Sequence, residues 1–455
     1  MTKTKSVYVC QNCGTDSPKW IGRCPSCNQW NTYVEEKIVQ SKTSISGIKD
    51  FIASKPVQID QIQPGKMQRI KSGIDELDRL LGGGIVTGAT ILIGGEPGIG
   101  KSTLALQVAL GTSMSVLYVS GEESPEQIKI RADRIHGTNP NCLVYCEVNL
   151  ESLINQIDQI KPELVIVDSI QTLFTETIDS SPGSISQIRE CAAQLLKISK
   201  TTGIPIFLIG HITKDGTLAG PKVLEHIVDT VLQFEGDHQH AYRVLRSLKN
   251  RFGSTSELAI FEMEADGLHE IKNPSEIFIS HNKNPMSGVA IASTIDGMRP
   301  FLIEAQALVS SAVYGTPQRT ATGFDAKRLN MLLAVLERKA GFNLASKDVF
   351  LNIAGGLKVQ DTATDLAVAA AILSSNFDRP IDMDLCMAAE ISLTGELKPV
   401  SRMEQRIAEA ARLGFSKVII PEYSKNKLAG IEKNTTIIRC AKIEEAIKII
   451  FRNGS

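Results

Sequence analysis

Gly95, Gly100, Lys101 and Ser102 stand at the spacing G-x-x-x-x-G-K-S within ILIGGEPGIGKST (91–103), a spacing suited to phosphate chemistry. Glycines let the backbone turn successive N–H groups onto phosphate oxygens, and a helix starting near Lys101 aims its positive end at them. The expected ATP cradle is Gly95, Glu96, Pro97, Gly98, Ile99, Gly100, Lys101, Ser102 and Thr103. Lys101 should reach the terminal phosphates, and the Ser102 hydroxyl should help hold Mg²⁺. Asp168 ends the apolar run in LVIVDSI (164–170). A carboxylate at such a strand tip can organise Mg²⁺ and its waters. Glu122 and Glu123 follow a second apolar run in VLYVSGEES (116–124). Hydrolysis needs a group that orients or deprotonates water in line with the γ-phosphate. Glu122 is the expected residue and Glu123 the second choice. The competing role for both is to cap the helix starting near Pro125, where negative charge is favoured.

A second chemistry sits at the N-terminus. Cys10, Cys13, Cys24 and Cys27 spell C-x2-C-x10-C-x2-C. Two C-x-x-C knuckles supply four thiolates, which satisfy tetrahedral Zn²⁺ and leave no open position, so the site is expected to be structural. In so short a segment, metal binding would supply most of the folding free energy, on the order of 10 kcal/mol. Trp20 and Trp30 flank the second knuckle, with Tyr33 nearby. They are expected to form the small core of this module; the alternative is a stacking or protein-docking surface.

The elements that must position these groups follow from patterning. The runs TILIGG, VLYVS, LVIVDSI, PIFLIGH and IVDTVLQF alternate with helical patterns, which implies a largely parallel sheet in an α/β layout. The polar stretch between the cysteine module and that core carries Pro56, Pro64 and Gly65 and reads as a linker. Beyond the core the texture changes to alanine-rich helical runs such as LAVAAAIL, with strands expected in VFLNIAGGLKV and KVIIPEY. The expected domains are therefore 1–34, a linker 35–66, a core 67–271 and a C-terminal domain 272–455.

Composition bounds the function. The 455 residues are 42% hydrophobic and 22% charged, with a net charge of −1, so any nucleic-acid site must be a local patch rather than a global field. No apolar run approaches the length that spans a bilayer. The N-terminus carries no apolar signal segment, so a cytoplasmic location without membrane partners is expected. Nine cysteines, four of them paired near the start, argue against a disulfide framework. Cys142, Cys146, Cys191, Cys386 and Cys440 lack paired ligand spacing and read as small buried hydrophobes.

The stretches SGIDELDRLLGGGIVTGATILIGGEPGIGKST, YVSGEES and VIVDSIQTL resemble the RecA-like ATPase core shared by recombinases and replicative hexameric helicases. KNRFG (249–253), combined with the four-cysteine module, narrows the resemblance to the RadA, or Sms, family of bacterial recombination and repair proteins. The implied fold is α/β: a RecA-like P-loop core with an N-terminal C4 zinc finger. The resemblance implies that Glu122 is the catalytic carboxylate and that His211, in LIGHITKDG, is a γ-phosphate sensor. It also implies that Lys249 and Arg251 reach a neighbouring subunit's nucleotide, as an arginine finger does. The glycine-rich segment 211–226, with Lys214, Gly216 and Lys222, reads from its residues as a mobile loop. By resemblance it faces a central channel and grips single-stranded DNA, where lysines and backbone N–H groups suit sequence-independent contact. An ATP-driven hexameric motor of the helicase or branch-migration type is implied. It would act on recombination intermediates alongside a recombinase or other repair proteins.

GLKVQDTATDLAVAAAIL and ISLTGELKPVSRMEQRIAEAARLGFSKVIIP resemble the proteolytic domain of Lon proteases, an α+β fold. Asp365 and Glu404 stand at the positions of the Lon serine and lysine. Carboxylates supply neither the nucleophile nor the amine base of that route, so the fold without the protease is expected. Lys327, Arg328, Arg338 and Lys339 lie on an expected helix, either as a solvated face or as a DNA surface.

Overall fold

The computed structural model describes residues 4–10, 14–39, 58, 68–211, 222–235, 242–279, 285–312, 316–356, 358–424 and 435–451. The chain divides into two compact units, Met1–Ile271 and Lys272–Ser455.

The first unit opens with a three-stranded antiparallel sheet of β1 (Thr4–Cys10), β2 (Asp16–Ser17) and β3 (Tyr33–Val39), in the order β2-β1-β3. β3 continues past the boundary expected at 34, because it pairs with β1 all the way from Cys10↔Tyr33 to Thr4↔Val39.

The core begins with the ribbon β4 (Arg69–Ile70) and β5 (Ile85–Val86), which flank α1 (Asp75–Leu80). Then come β6 (Thr90–Gly95), α2 (Lys101–Gly111), β7 (Val116–Ser120), α3 (Pro125–Ile135), β8 (Cys142–Cys146), α4 (Leu150–Ile160) and β9 (Leu164–Asp168). They are followed by α5 (Ile185–Thr202), β10 (Ile206–His211), α6 (Lys222–Ile227) and β11 (Thr230–Glu235). A meander of β12 (Tyr242–Asn250), β13 (Leu258–Glu264) and β14 (Gly267–Glu270) closes the unit. All nine strands from β6 form one sheet, in the order β14-β13-β12-β11-β6-β10-β9-β7-β8. Strands β6 to β11 run parallel and the meander antiparallel.

Every residue of β6 is buried. Ile91 and Ile93 enter the hydrophobic cluster on one face, and Leu92 enters the cluster on the other. A strand covered on both faces has no solvated side, which is why TILIGG reads as a continuous apolar run. Helix starts follow the capping rules: Ser124 and Gln127 form a reciprocal box at α3, with Pro125 in the first turn. Asn149 and Ser184 cap α4 and α5.

The second unit contains α7 (Ser275–Phe278), β15 (Val289–Asp296), β16 (Arg299–Ser311), β17 (Arg319–Thr322), α8 (Ala326–Arg338), β18 (Lys347–Ile353), α9 (Asp365–Phe377), β19 (Leu385–Met387) and β20 (Glu390–Ile391). After these come β21 (Leu397–Lys398), α10 (Met403–Arg412), β22 (Lys417–Pro421), β23 (Thr436–Cys440) and α11 (Ile443–Ile450). A mixed sheet of order β17-β18-β16-β15-β19-β22-β23 is packed by α9. The first ten residues of α9 are all buried. Its alanines keep the helix thin enough to lie directly on β15 and β16.

Arg328 departs from the surface role considered for it. Its guanidinium forks onto the fully buried Asp365 and reaches Glu390 at 3.2 Å. The pattern of a basic helix face could not reveal a carboxylate arriving from a distant helix. Desolvation pushes the Asp365 carboxyl above its ordinary range, against the pull of Arg328 and of the Ile391 amide at 3.0 Å. Glu404 is an exposed residue in the first turn of α10.

Candidate nucleotide-binding and hydrolytic site

β6 and α2 are joined by the phosphate loop. Gly98 and Gly100 take φ values of 77° and 115° there, a region that favours glycine. A Cβ on Gly100 would stand 2.7 Å from Met263 Cε, and one on Gly95 3.0 Å from both Ile99 and Phe234. The loop therefore keeps its bare backbone for want of room as well as for its dihedrals. Lys101 is buried at the start of α2, and its ammonium donates to the carbonyls of Gly95 (2.9 Å) and Glu96 (2.8 Å). Burial lowers its pKa to about 8, although Asp168, Glu122 and Glu96 oppose the shift. A cation held in a glycine cradle against a helix start fits a nucleoside triphosphate. Lys101 and the loop amides would hold the phosphates, and Ser102 with Asp168 would hold Mg²⁺.

β7 and β9 are neighbours, with Ser120 opposite Asp168, so their tips deliver the acidic residues side by side. The two glutamates part company. Glu123 is claimed by Arg131 at 2.7 Å, and its amide donates to Ser120 Oγ. Glu122 keeps a half-exposed carboxylate that accepts from Ser169 Oγ at 2.9 Å and lies 3.6 Å from His211 Nε2. His211 ends β10, which places it between β6 and β9 in the sheet. Its Nδ1 is buried and has no hydrogen-bond partner among the described residues. Glu122, Ser169 and His211 thus converge beside the phosphate loop, where Lys101 feels the charge of Glu122.

Tyr118, Arg131 and Ser169 escaped the sequence reading. The Tyr118 hydroxyl donates to Asp168 Oδ2 at 2.7 Å and fixes that carboxylate. Burial, with the Asp168 charge second, pushes the phenol pKa well up, so Tyr118 remains a donor. Arg131 also reaches the Ser102 carbonyl at 3.3 Å, tying α3 to the start of α2. A tyrosine among the aliphatic residues of VLYVS was the visible signal. The pairing itself depends on neighbouring strands.

KNRFG lies at the other end of the sheet. β11 runs parallel to β6 with Thr230 opposite Ile91, and the Arg251 amide donates to the Asp229 carbonyl just before it. β6 has six residues, so at about 3.3 Å per residue it separates this end from the phosphate loop by roughly 17 Å. Asp229 is buried and gathers the Thr90 amide at 3.0 Å, the Lys200 ammonium at 2.6 Å and Arg251 at 3.8 Å. It was legible only as a lone acid inside the apolar run IVDTVLQF. Lys249 donates to the carbonyls of Glu225 (2.7 Å), His226 (3.2 Å) and Val228 (2.7 Å), capping the C-terminal end of α6. Desolvation, then the Arg251 charge, lowers its pKa. Lys249 thus turns onto a helix end, while Arg251 follows β12 and stays more than half exposed.

Of the cysteines, Cys10, Cys24 and Cys27 bring their sulfurs within 4.8 Å of one another. Cys13 lies outside the described residues, as do Lys214 and Gly216; Lys222 opens α6, but its side chain is not described. Two matching knuckles build the cysteine site. Gly14 and Asn28 each adopt positive φ and donate to the carbonyls of Cys10 (2.8 Å) and Cys24 (2.9 Å). Thr32 Oγ1 lies 3.0 Å from Cys10 Sγ, and the Tyr33 hydroxyl donates to Cys24 Sγ at 3.5 Å. Converging thiols with hydrogen-bonded sulfurs fit a structural Zn²⁺. The small core here is Cys10, Cys24 and Tyr33, packed by Tyr8, Ile21 and Cys27. Trp20 and Trp30 are 54% and 67% exposed, so they do not form it. The knuckles turn both indoles outward.

Family profiles agree with this layout. Residues 8–35 match a rubredoxin metal binding domain, residues 55–217 an AAA domain, and residues 305–424 the subunit ChlI of Mg-chelatase. The DNA repair protein RadA of Bacillus subtilis (strain 168) is 48% identical, over 98% of this chain and 99% of its own length. That of Listeria monocytogenes serovar 1/2a is 45% identical, over 98% of both chains. A crystal structure of the RadB recombinase is 24% identical over 45% of this chain and all of its own, with a TM-score of 0.36. Near half identity from end to end makes the chain a member of the RadA family, with a RecA-like core, an N-terminal zinc ribbon and a Lon-like C-terminal domain.

Proposed function

We propose that this chain is an ATP-driven motor on single-stranded DNA. It works as a hexameric ring of the helicase or branch-migration type and processes recombination intermediates in DNA repair, in the cytoplasm. The observation that carries this reading is the placement of Arg251. A half-exposed guanidinium held at the opposite end of β6 lies too far from its own phosphate loop to serve it, which supports a role at a nucleotide carried by a second copy. Hydrolysis at the interface of two copies follows from that, and a ring gives every subunit both halves of a site.

Within the site, Lys101 and the loop amides bind the phosphates, while Ser102 and Asp168, the latter steadied by Tyr118, would hold Mg²⁺, which would supply charge stabilisation to the transferred group. Glu122, oriented by Ser169, accepts the proton of the attacking water, and His211 reads the terminal phosphate. Lys249 anchors the helix before β11, and we take the segment 211–226, with Lys214, Gly216 and Lys222 as its DNA contacts, to be coupled to KNRFG through that helix. Through that link, turnover moves the DNA-gripping loop. A recombinase or other repair proteins are the expected partners.

The deciding experiment is steady-state ATP hydrolysis with and without single-stranded DNA, on wild type and Lys249→Ala. Stimulation by DNA that the variant loses is expected. Slow turnover indifferent to DNA in both proteins would replace the motor with an ATP-switched scaffold.

A further inference from the structure

Trp20 and Trp30 are more than half exposed, although each is large enough to anchor a core. The six-membered rings of both approach Gly22: a Cβ there would stand 3.7 Å from Trp20 and 3.8 Å from Trp30. With no side chain at that point, both indoles stay largely open to solvent. Arg23 lies 5.8 Å from the centre of the Trp30 ring, and its Nε donates to the Asn28 carbonyl at 3.2 Å. This fixes the guanidinium beside the aromatic surface. From Ser17 to Val34 the chain has two cations, Lys19 and Arg23, and no carboxylate. Of the exposed residues between the two in sequence, Arg23, Ser26, Asn28 and Gln29 are polar and only Pro25 is apolar, unlike the aliphatic border a protein partner would bury.

We propose that the Trp20–Trp30 platform stacks unpaired bases of single-stranded nucleic acid, with Arg23 and Lys19 meeting the adjoining phosphates. Aromatic rings interleaved with cations and without acids form a sequence-tolerant platform, because every base offers a π-face. The inference rests on the reading that the chain acts on single-stranded DNA, and it adds a contact separate from the 211–226 loop.

The test uses the full-length protein and an oligo-dT. Trp20 and Trp30 are the only tryptophans in the chain, so intrinsic emission reports this platform, while the anisotropy of end-labelled oligo-dT reports binding by the whole protein. Emission should fall in step with occupancy, and duplex DNA, whose bases are already stacked, should leave it unchanged. Trp20→Ala and Trp30→Ala should each weaken oligo-dT binding roughly fivefold or more, while Trp→Phe at either position recovers most of it. Ultraviolet crosslinks from 5-iododeoxyuridine in the oligonucleotide should map to Trp20 or Trp30. Oligo-dT bound by anisotropy with unchanged emission, or alanine variants that bind like wild type, would overturn the platform and leave the motor standing. No oligo-dT binding by wild type would overturn both.

Discussion

Lys101 and Arg251 occupy opposite ends of one pair of parallel strands. Lys101 follows the loop at the C-terminal tip of β6, and Arg251 is tied through Asp229 to the first residue of that strand. Arg251→Ala should therefore leave ATP affinity within about twofold and lower turnover about a thousandfold or more, the range of a missing arginine finger. Mixing it with Lys101→Ala subunits should restore part of the activity, since each supplies the half the other lacks. Mixtures that stay inactive at every ratio would count against action between subunits.

The division of labour between the two glutamates is equally open to test. Glu122→Gln should abolish hydrolysis while retaining ATP. Glu123→Gln should keep measurable turnover, because its carboxylate serves Arg131 rather than the water site. Single-turnover hydrolysis alongside fluorescent-nucleotide binding separates the two effects.

Lys101, held near pKa 8 by burial, is partly neutral at that pH in the free protein. Bound phosphates favour its charged form and raise the pKa, so nucleotide binding near pH 8 should take up protons, and affinity should fall as pH rises through that range. Calorimetry in buffers of different ionisation enthalpy measures the uptake directly. Binding with no proton exchange would place the lysine away from the phosphates.

Loss of metal should act locally. A strong chelator, or Cys24→Ser, should remove one Zn²⁺ per chain and expose the backbone of 4–39 to hydrogen exchange. The core strands β6 to β11 should keep their protection, because their clusters contain no residue of the cysteine module.

In the second unit, Arg328→Ala leaves Asp365 buried without its cation and should cost about 3–5 kcal/mol of stability. Thermal unfolding of the variant measures it. Asp365→Asn with Arg328→Met, which removes both charges, should recover much of that loss, whereas additive losses would show that the pair does not act as a unit.

The amino-acid sequence by itself determined the chemistry that depends on local spacing. A phosphate loop is continuous backbone, and Gly95 to Ser102 carry its whole geometry. Cysteine knuckles are equally local, with Gly14 and Asn28 at the turns. The parallel sheet was legible because strands buried on both faces admit only apolar residues. Tertiary structure decided what depends on partners far apart in the chain. Glu122 and Glu123 are adjacent and identical in type, yet packing of α3 against the start of α2 gives Glu123 to Arg131, while Glu122 turns to Ser169 and His211. Arg328 looked like surface charge until a buried carboxylate from α9 met it. Trp20 and Trp30 looked like core until the knuckles turned them outward. Arg251 was separated from its own phosphate loop only once strand order fixed its distance from Lys101. Charge and ring type are written in the sequence; direction and distance are set by the sheet.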